Sequence, residues 1–193
     1  MNTDPFVQFE TWYAEAKASE PGLPDAAALA TATTDGQPSV RMVLVRQVDE
    51  DGFVFFTNKE SRKSGDLATN PRAALLYHWK SLNRQLRIEG RVESVSDEAS
   101  KAYFDGRPRG SRLSAWASPQ SDEVPNRAFL QDQVAELESK YPGDDIPLPS
   151  FWGGYRVIPD RFEFWISQDD RLHDRFLYVR QDNGSWRQSL LAP

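Results

Sequence analysis

Three tight-turn dipeptides, Asp35-Gly36, Asp51-Gly52 and Asn183-Gly184, constrain the fold of this chain more than any other feature. Asx-Gly pairs favour two-residue turns whose twist matches that of antiparallel strands. The flanking runs, Ala28 to Thr33, Ser39 to Val48 and Phe53 to Thr57, then Asp174 to Arg180 and Ser185 to Leu190, read as hairpin-linked strands. Ala73 to His78, Arg84 to Val95, Gly154 to Ile158 and Arg161 to Ile166 add further strands. Such short connections leave no room for the crossovers that parallel strands need, so the sheet is expected to be mainly antiparallel.

Helices are expected at four places. Asp4 followed by Pro5 is a capped helix start, and Phe6, Phe9, Tyr13 and Ala16 recur at helical spacing towards Ala18. Ser61 reads as the cap of a short helix that stops near Asn70, before Pro71. Asp97 to Phe104 forms the third, ended by the turn-rich run Gly106 to Gly110. Asn126 to Lys140 forms the fourth, with Phe129, Leu130, Val134 and Leu137 on one face. Glu20 to Asp25 and Pro142 to Pro149 are loops. The expectation is one domain over residues 1–193: a mainly β chain of eight or nine strands closed into a barrel, with peripheral helices and residues 1–25 as a helix and loop.

Charge and composition remove several function classes. A net charge of −6 opposes general attraction to nucleic acid or anionic membranes. Within that acidic balance, 17 of the 23 cationic side chains are Arg, the better fork for phosphate, although a genomic bias towards Arg gives the same ratio. Cys is absent and only His78 and His173 are present, which argues against thiolate chemistry and a His-rich metal site, so no metal is expected. No secretory signal and no membrane-length apolar run is visible, making the cytoplasm the default location. There is no G-x-G-x-x-G, P-loop, G-x-S-x-G or H-E-x-x-H.

Four stretches carry more cations, amides and aromatics than a plain barrel needs. Arg41 to Arg46 places two arginines five positions apart, on opposite faces of a strand; taken alone, this reads as two ordinary strand-end arginines. Thr57 to Lys63 opens a helix, where free N–H groups and the dipole attract an anion, although Arg62 and Lys63 oppose that dipole unless an anion is bound. Tyr103 to Ser111 offers Tyr, Arg and Ser on a stiff loop, a cradle for a second phosphate or a solvated basic turn. Finally, Phe162 to Trp165 precedes Arg171-Leu172-His173-Asp174-Arg175; if that piece is extended, Arg171, His173 and Arg175 share one face without matching acids. The residues alone give a β-barrel with two anion pockets and no named reaction.

The same stretches resemble the pyridoxine/pyridoxamine 5′-phosphate oxidase family. The likeness runs from about Ala28 to the terminal Leu190-Leu191-Ala192-Pro193. It includes Arg41-Met42-Val43-Leu44-Val45, Phe55-Phe56-Thr57-Asn58, Ser61-Arg62-Lys63, Arg84-Gln85, Arg107-Pro108-Arg109, Gln120-Ser121, Trp152-Gly153-Gly154 and Arg171-Leu172-His173-Asp174-Arg175-Phe176, in the family's order. The resemblance implies a split β-barrel homodimer with FMN at the subunit interface. It implies that Arg41, Arg62 and Lys63 hold the FMN phosphate, with Met42, Val43, Leu44, Phe56 and Thr57 lining the flavin. Gln85, Gln120, Ser121, Trp165 and Arg175 would complete that site, some from the partner subunit. Arg46, Tyr103, Arg107 and Ser111 would take the substrate phosphate, and Arg171, Leu172 and His173 the pyridine ring, with Arg171 and His173 nearest the chemistry. The implied reaction moves a hydride from C4′ of pyridoxamine or pyridoxine 5′-phosphate to flavin N5, and O2 then reoxidises the flavin to give hydrogen peroxide.

The chain departs from that pattern at three points: Arg46 replaces the usual Lys, Ile166 follows Trp165 where Gln is common, and the N-terminal segment lacks a basic, Tyr-containing stretch. Two other functions share the fold. One is a related flavin oxidase acting on a phenazine precursor; the other is a non-catalytic flavin or pyridoxal-phosphate carrier.

Overall fold

A computed structural model describes all residues 1–193. Eight strands run β1 (Ala26–Ala32), β2 (Pro38–Asp49), β3 (Gly52–Asn58), β4 (Arg72–Trp79), β5 (Arg84–Ser94), β6 (Trp152–Ile166), β7 (Asp174–Arg180) and β8 (Trp186–Leu190). Five helices accompany them: α1 (Pro5–Ser19), α2 (Arg62–Thr69), α3 (Asp97–Asp105), α4 (Arg109–Ala117) and α5 (Arg127–Lys140). The strand order is β3-β2-β1-β4-β5-β6-β7-β8, and β3 also pairs with β6, which closes β1–β6 into a six-stranded antiparallel barrel. Gly36 and Gly184 take φ of +89° and +84°, the left-handed backbone that their hairpins require.

β6 organises the molecule. Its first half, Trp152 to Val157, pairs with β3, and its second half, Arg161 to Ile166, pairs with β7, while β5 runs beside both halves. The sequence predicts two separate strands here, Gly154 to Ile158 and Arg161 to Ile166, on either side of Pro159-Asp160. The structure shows one strand, since Pro159 sits where the β5–β6 register shifts beside Glu89 and Gly90, and a bulge needs no ladder N–H from proline.

Aromatics fill the barrel. On α1, Asp4 accepts from the Phe6 N–H at 2.8 Å and starts the helix, which then buries Phe9 and Trp12. Phe9 meets Phe53 edge-on at 5.0 Å, and Trp12 meets Phe164 at 5.0 Å. A smaller cluster of Phe104, Leu113, Ile146 and Trp152 lies outside the barrel. It explains α4, which begins at the end of the turn-rich run Gly106 to Gly110 and continues to Ala117, where the sequence predicts no helix. Pro108 caps the helix with φ −52° and Leu113 is fully buried, so packing overrides the loop-like composition. No helix is long and apolar enough to cross a membrane.

Candidate active-site cleft

A cleft of about 750 Å³ opens where β2, the end of β3, α2, α4 and the start of β6 converge. Met42, Val43, Leu44 and Arg46 reach it from β2, and Phe56, Thr57 and Asn58 from β3. Lys63, Tyr103, Arg107, Ser111, Gln120 and Trp152 complete the parts of its wall that matter most chemically.

Two cation centres face this cleft, and neither is neutralised. The Lys63 ammonium is buried and donates to Thr57 Oγ1 at 3.0 Å, Ser61 Oγ at 2.9 Å and Gln120 Oε1 at 2.7 Å. None of these partners is a carboxylate. Burial, helped by the nearby Arg41 guanidinium, pulls the Lys63 ammonium down to about 8. Ser61 stands at the N-cap as expected, but its hydroxyl donates to Asn58 O and accepts from Lys63 instead of capping. The Arg62 N–H, free at that helix end, donates to Ser121 Oγ at 3.2 Å, and Ser121 takes a strained φ of +82°.

Arg107 forms the second centre. Its guanidinium lies 5.0 Å from the Trp152 ring centroid and 5.9 Å from that of Phe104. Nη1 is buried with no hydrogen-bond partner, and burial lowers the guanidinium's proton affinity. A buried donor left unpaired costs about 1–3 kcal/mol, so such a group points to an anionic ligand. Beside it, Arg46 is steered by Asp25, whose Oδ2 accepts from Nη1 at 2.7 Å. Phe56, Tyr103 and Trp152 form near-parallel rings, Phe56 lying 4.0 Å from Tyr103 and 5.5 Å from Trp152, and make a flat wall.

The remaining candidates lie elsewhere. Arg41 is next to the cleft but faces inward, donating to Thr31 Oγ1 at 2.6 Å and Ser39 Oγ at 2.7 Å, with Asp66 3.8 Å away. Gln85, Trp165 and Arg175 stand in register across β5, β6 and β7. His173 packs against Trp165 at 4.6 Å, and its Nδ1 accepts from the Gln168 N–H at 3.1 Å, so the imidazole carries its proton on Nε2. The extended reading of Arg171 to Arg175 needs correcting. Asp170 and Arg171 have φ of +53° and +63° and form a tight turn, β7 begins only at Asp174, and Arg175 is not without an acid, because Glu163 accepts from its Nε at 2.8 Å. Leu172 beside them is 70% exposed.

Sequence reasoning missed three supporting residues: Asp25, Glu163 and Gln168. Each touches a candidate residue from a distant or irregular position, and no local pattern marks them. Trp152 was visible only as part of a family motif, whereas Asn58 also lay in the helix-opening stretch Thr57 to Lys63.

Residues 15–141 match the family model described as pyridoxamine 5′-phosphate oxidase, and residues 152–193 match the one described as pyridoxine 5′-phosphate oxidase C-terminal dimerisation region. This chain belongs to the pyridoxine/pyridoxamine 5′-phosphate oxidase family. A relative from Cupriavidus pinatubonensis named pyridoxine/pyridoxamine 5′-phosphate oxidase is 52% identical over 190 residues, covering 98% of this chain and 89% of that protein. One of the same name from Trichormus variabilis is 50% identical over 193 residues, covering 100% of this chain and 90% of that protein. Among solved structures, PhzG from Burkholderia lata 383, in complex with tetrahydrophenazine-1-carboxylic acid, superimposes with a TM-score of 0.93 at 33% identity, covering 100% and 94% of the two chains. A pyridoxamine 5′-phosphate oxidase-related, FMN-binding protein from Nostoc punctiforme shares the fold, with a TM-score of 0.78 at 19% identity and full coverage of both chains. The family's dimerisation region spans β6 to β8, the strands that bear or flank Trp165, Arg171, His173 and Arg175.

Proposed function

We propose that the protein is a homodimeric, FMN-dependent oxidase that converts pyridoxamine 5′-phosphate or pyridoxine 5′-phosphate to pyridoxal 5′-phosphate. The observation that carries this reading is the pair of unneutralised cation centres lining one cleft, Lys63 and Arg107 with its orphaned Nη1. Two phosphorylated molecules, a cofactor and a substrate, account for both. Membership of a family whose relatives carry that enzyme name supports the choice of substrate.

The donor set fits FMN. Lys63, the Arg62 N–H and Ser121 would hold its phosphate, and the apolar edge of β2, with Thr57 and Gln120, would border its ring. Bound there, FMN would accept a hydride from C4′ of the substrate and pass two electrons to O2, giving hydrogen peroxide. Arg107, Arg46 and Ser111 would fix the substrate phosphate, Arg46 held in line by Asp25. Arg171 and His173 would come from the partner subunit, His173 as an Nε2–H donor to the pyridine ring. The protein's part is thus mostly orientation and charge. With pyridoxamine 5′-phosphate, the step consumes O2 and water and releases ammonia and peroxide; with pyridoxine 5′-phosphate, it consumes O2 alone.

Aerobic turnover of pyridoxamine 5′-phosphate by protein supplied with FMN tests this directly, through pyridoxal-phosphate absorbance and peroxide. Equal, FMN-dependent formation of both is expected. The likeness to PhzG favours a second reading, oxidation of a reduced phenazine carboxylic acid. Flavin binding with turnover of that compound, and none of pyridoxamine 5′-phosphate, would establish it instead.

A further inference from the structure

Glu163, the acid bonded to Arg175, does not line the cleft itself. It lies on β6 between Phe162 and Phe164, whose rings are fully buried in the barrel, so its carboxylate points to the other face. Yet it is only 4% exposed, because two arginines cover it. Arg87 on β5 donates from Nη1 to Glu163 Oε2 at 3.1 Å, and Arg175 on β7 donates from Nε to Oε1 at 2.8 Å. Past β8, the Ala192 carbonyl accepts from Arg175 Nη1 at 2.8 Å, while the Leu191 N–H donates to Arg175 O at 2.9 Å. Arg175 is therefore fixed at two of its three guanidinium nitrogens, and only Nη2 has no partner within the chain.

We infer that Glu163 is a positioning residue: it clamps Arg175 so that its free amino edge is presented to the flavin, and its charge offsets the two arginines beside that ring. The inference rests on the flavin reading above and adds to it the residue that orients one of the expected ligands. Stability alone is a poor reason for a buried carboxylate, because a well-packed apolar residue usually serves as well or better. A fork held at two nitrogens with the third left open is what orientation of a ligand requires.

A double-mutant cycle of Glu163→Ala and Arg175→Ala, read as FMN affinity by flavin fluorescence titration, tests the positioning. Glu163→Ala should weaken FMN by about tenfold when Arg175 is present and hardly at all when residue 175 is alanine. Equal losses in both backgrounds would make Glu163 a purely structural residue and overturn the inference. Should Glu163→Ala not fold, Glu163→Gln keeps the shape and one of the two acceptor oxygens but removes the charge. The midpoint potential of its bound flavin should then move positive, since reduction adds negative charge to a ring with more positive surroundings; an unchanged potential overturns the inference. Failure of the wild-type protein to bind flavin would instead sink the function proposed above. In that event the clamp is still read in the free protein, as a slowly exchanging Arg175 Nε–H in 15N NMR that Glu163→Gln perturbs; a freely exchanging one counts against it.

Discussion

Lys63 gives the cleft a pH dependence whose sign follows from its partners. Its ammonium titrates near 8 in the free protein because it is buried among neutral oxygens beside Arg41. Below that pH the group is already charged, and a phosphate gains a full ion pair. Above it the lysine is neutral, so binding must first take up a proton. FMN affinity should therefore fall as pH rises past about 8, by up to roughly tenfold per unit, with buffer-dependent heat in calorimetry. Constant affinity across that range would remove Lys63 from the phosphate site. Arg107 makes a different prediction, because its buried Nη1 is unpaired without ligand. Arg107→Met should cost no thermal stability, since it replaces an unsatisfied charge with an apolar chain. It should still lower kcat/KM for the phosphorylated substrate about a hundredfold, or about 3 kcal/mol, with FMN affinity unchanged. A fall in melting temperature with normal kinetics would make Arg107 a structural residue packed on Trp152.

At the level of elements, the ring wall depends on the start of β6. A Cβ on Gly154 would stand 2.8 Å from the Phe56 ring and 2.7 Å from Val95 Cγ2. Phe56 cannot retreat, because Tyr103 and Trp152 stack around it. Gly154→Ala should thus cost about 1–3 kcal/mol in denaturant unfolding and weaken FMN binding as the ring tilts. Unchanged stability would mean that the wall is loose. That constraint was legible only as a Trp-Gly-Gly run, since the clash involves β3 and Val95, residues far away in sequence. The hairpins were readable because Asp35-Gly36 and Asn183-Gly184 encode their turns locally. By contrast, α4 and the continuous β6 depend on tertiary contacts, Leu113 against the outer cluster and Pro159 against the β5 register shift, that no short window contains. The candidate residues divide similarly. Motif residues such as Lys63 and Arg107 stood out, whereas the acids holding Arg46 and Arg175, Asp25 and Glu163, lie about twenty and twelve residues from their partners and carry no local pattern.

For the whole molecule, the length of β6 decides how many chains the site needs. Trp152 lines the cleft at one end of this strand, while Trp165, with Gln85 and Arg175 alongside, stands near the other. Thirteen residues at about 3.3 Å each separate them by roughly 40 Å along the strand, too far for one small molecule to touch both. Two copies packed so that one cleft meets the other's β6–β7 end would unite them. The outer face of the barrel offers a surface for this packing. Val40 is 68% and Met42 64% exposed, and the register places them beside Ala30 and Ala28, then Ala74 and Leu76, in two apolar rows across β2, β1 and β4. Flat, apolar patches of this kind on a chain rich in surface charge suit a symmetric contact. Val40→Asp should place a carboxylate in that contact without touching the barrel core. Analytical ultracentrifugation should then show monomers with a native far-UV spectrum, and FMN affinity should fall with the loss of the second chain's side chains. A monomeric variant that binds FMN as tightly as the wild type would show that one chain suffices, and that Gln85, Trp165 and Arg175 serve something other than the flavin.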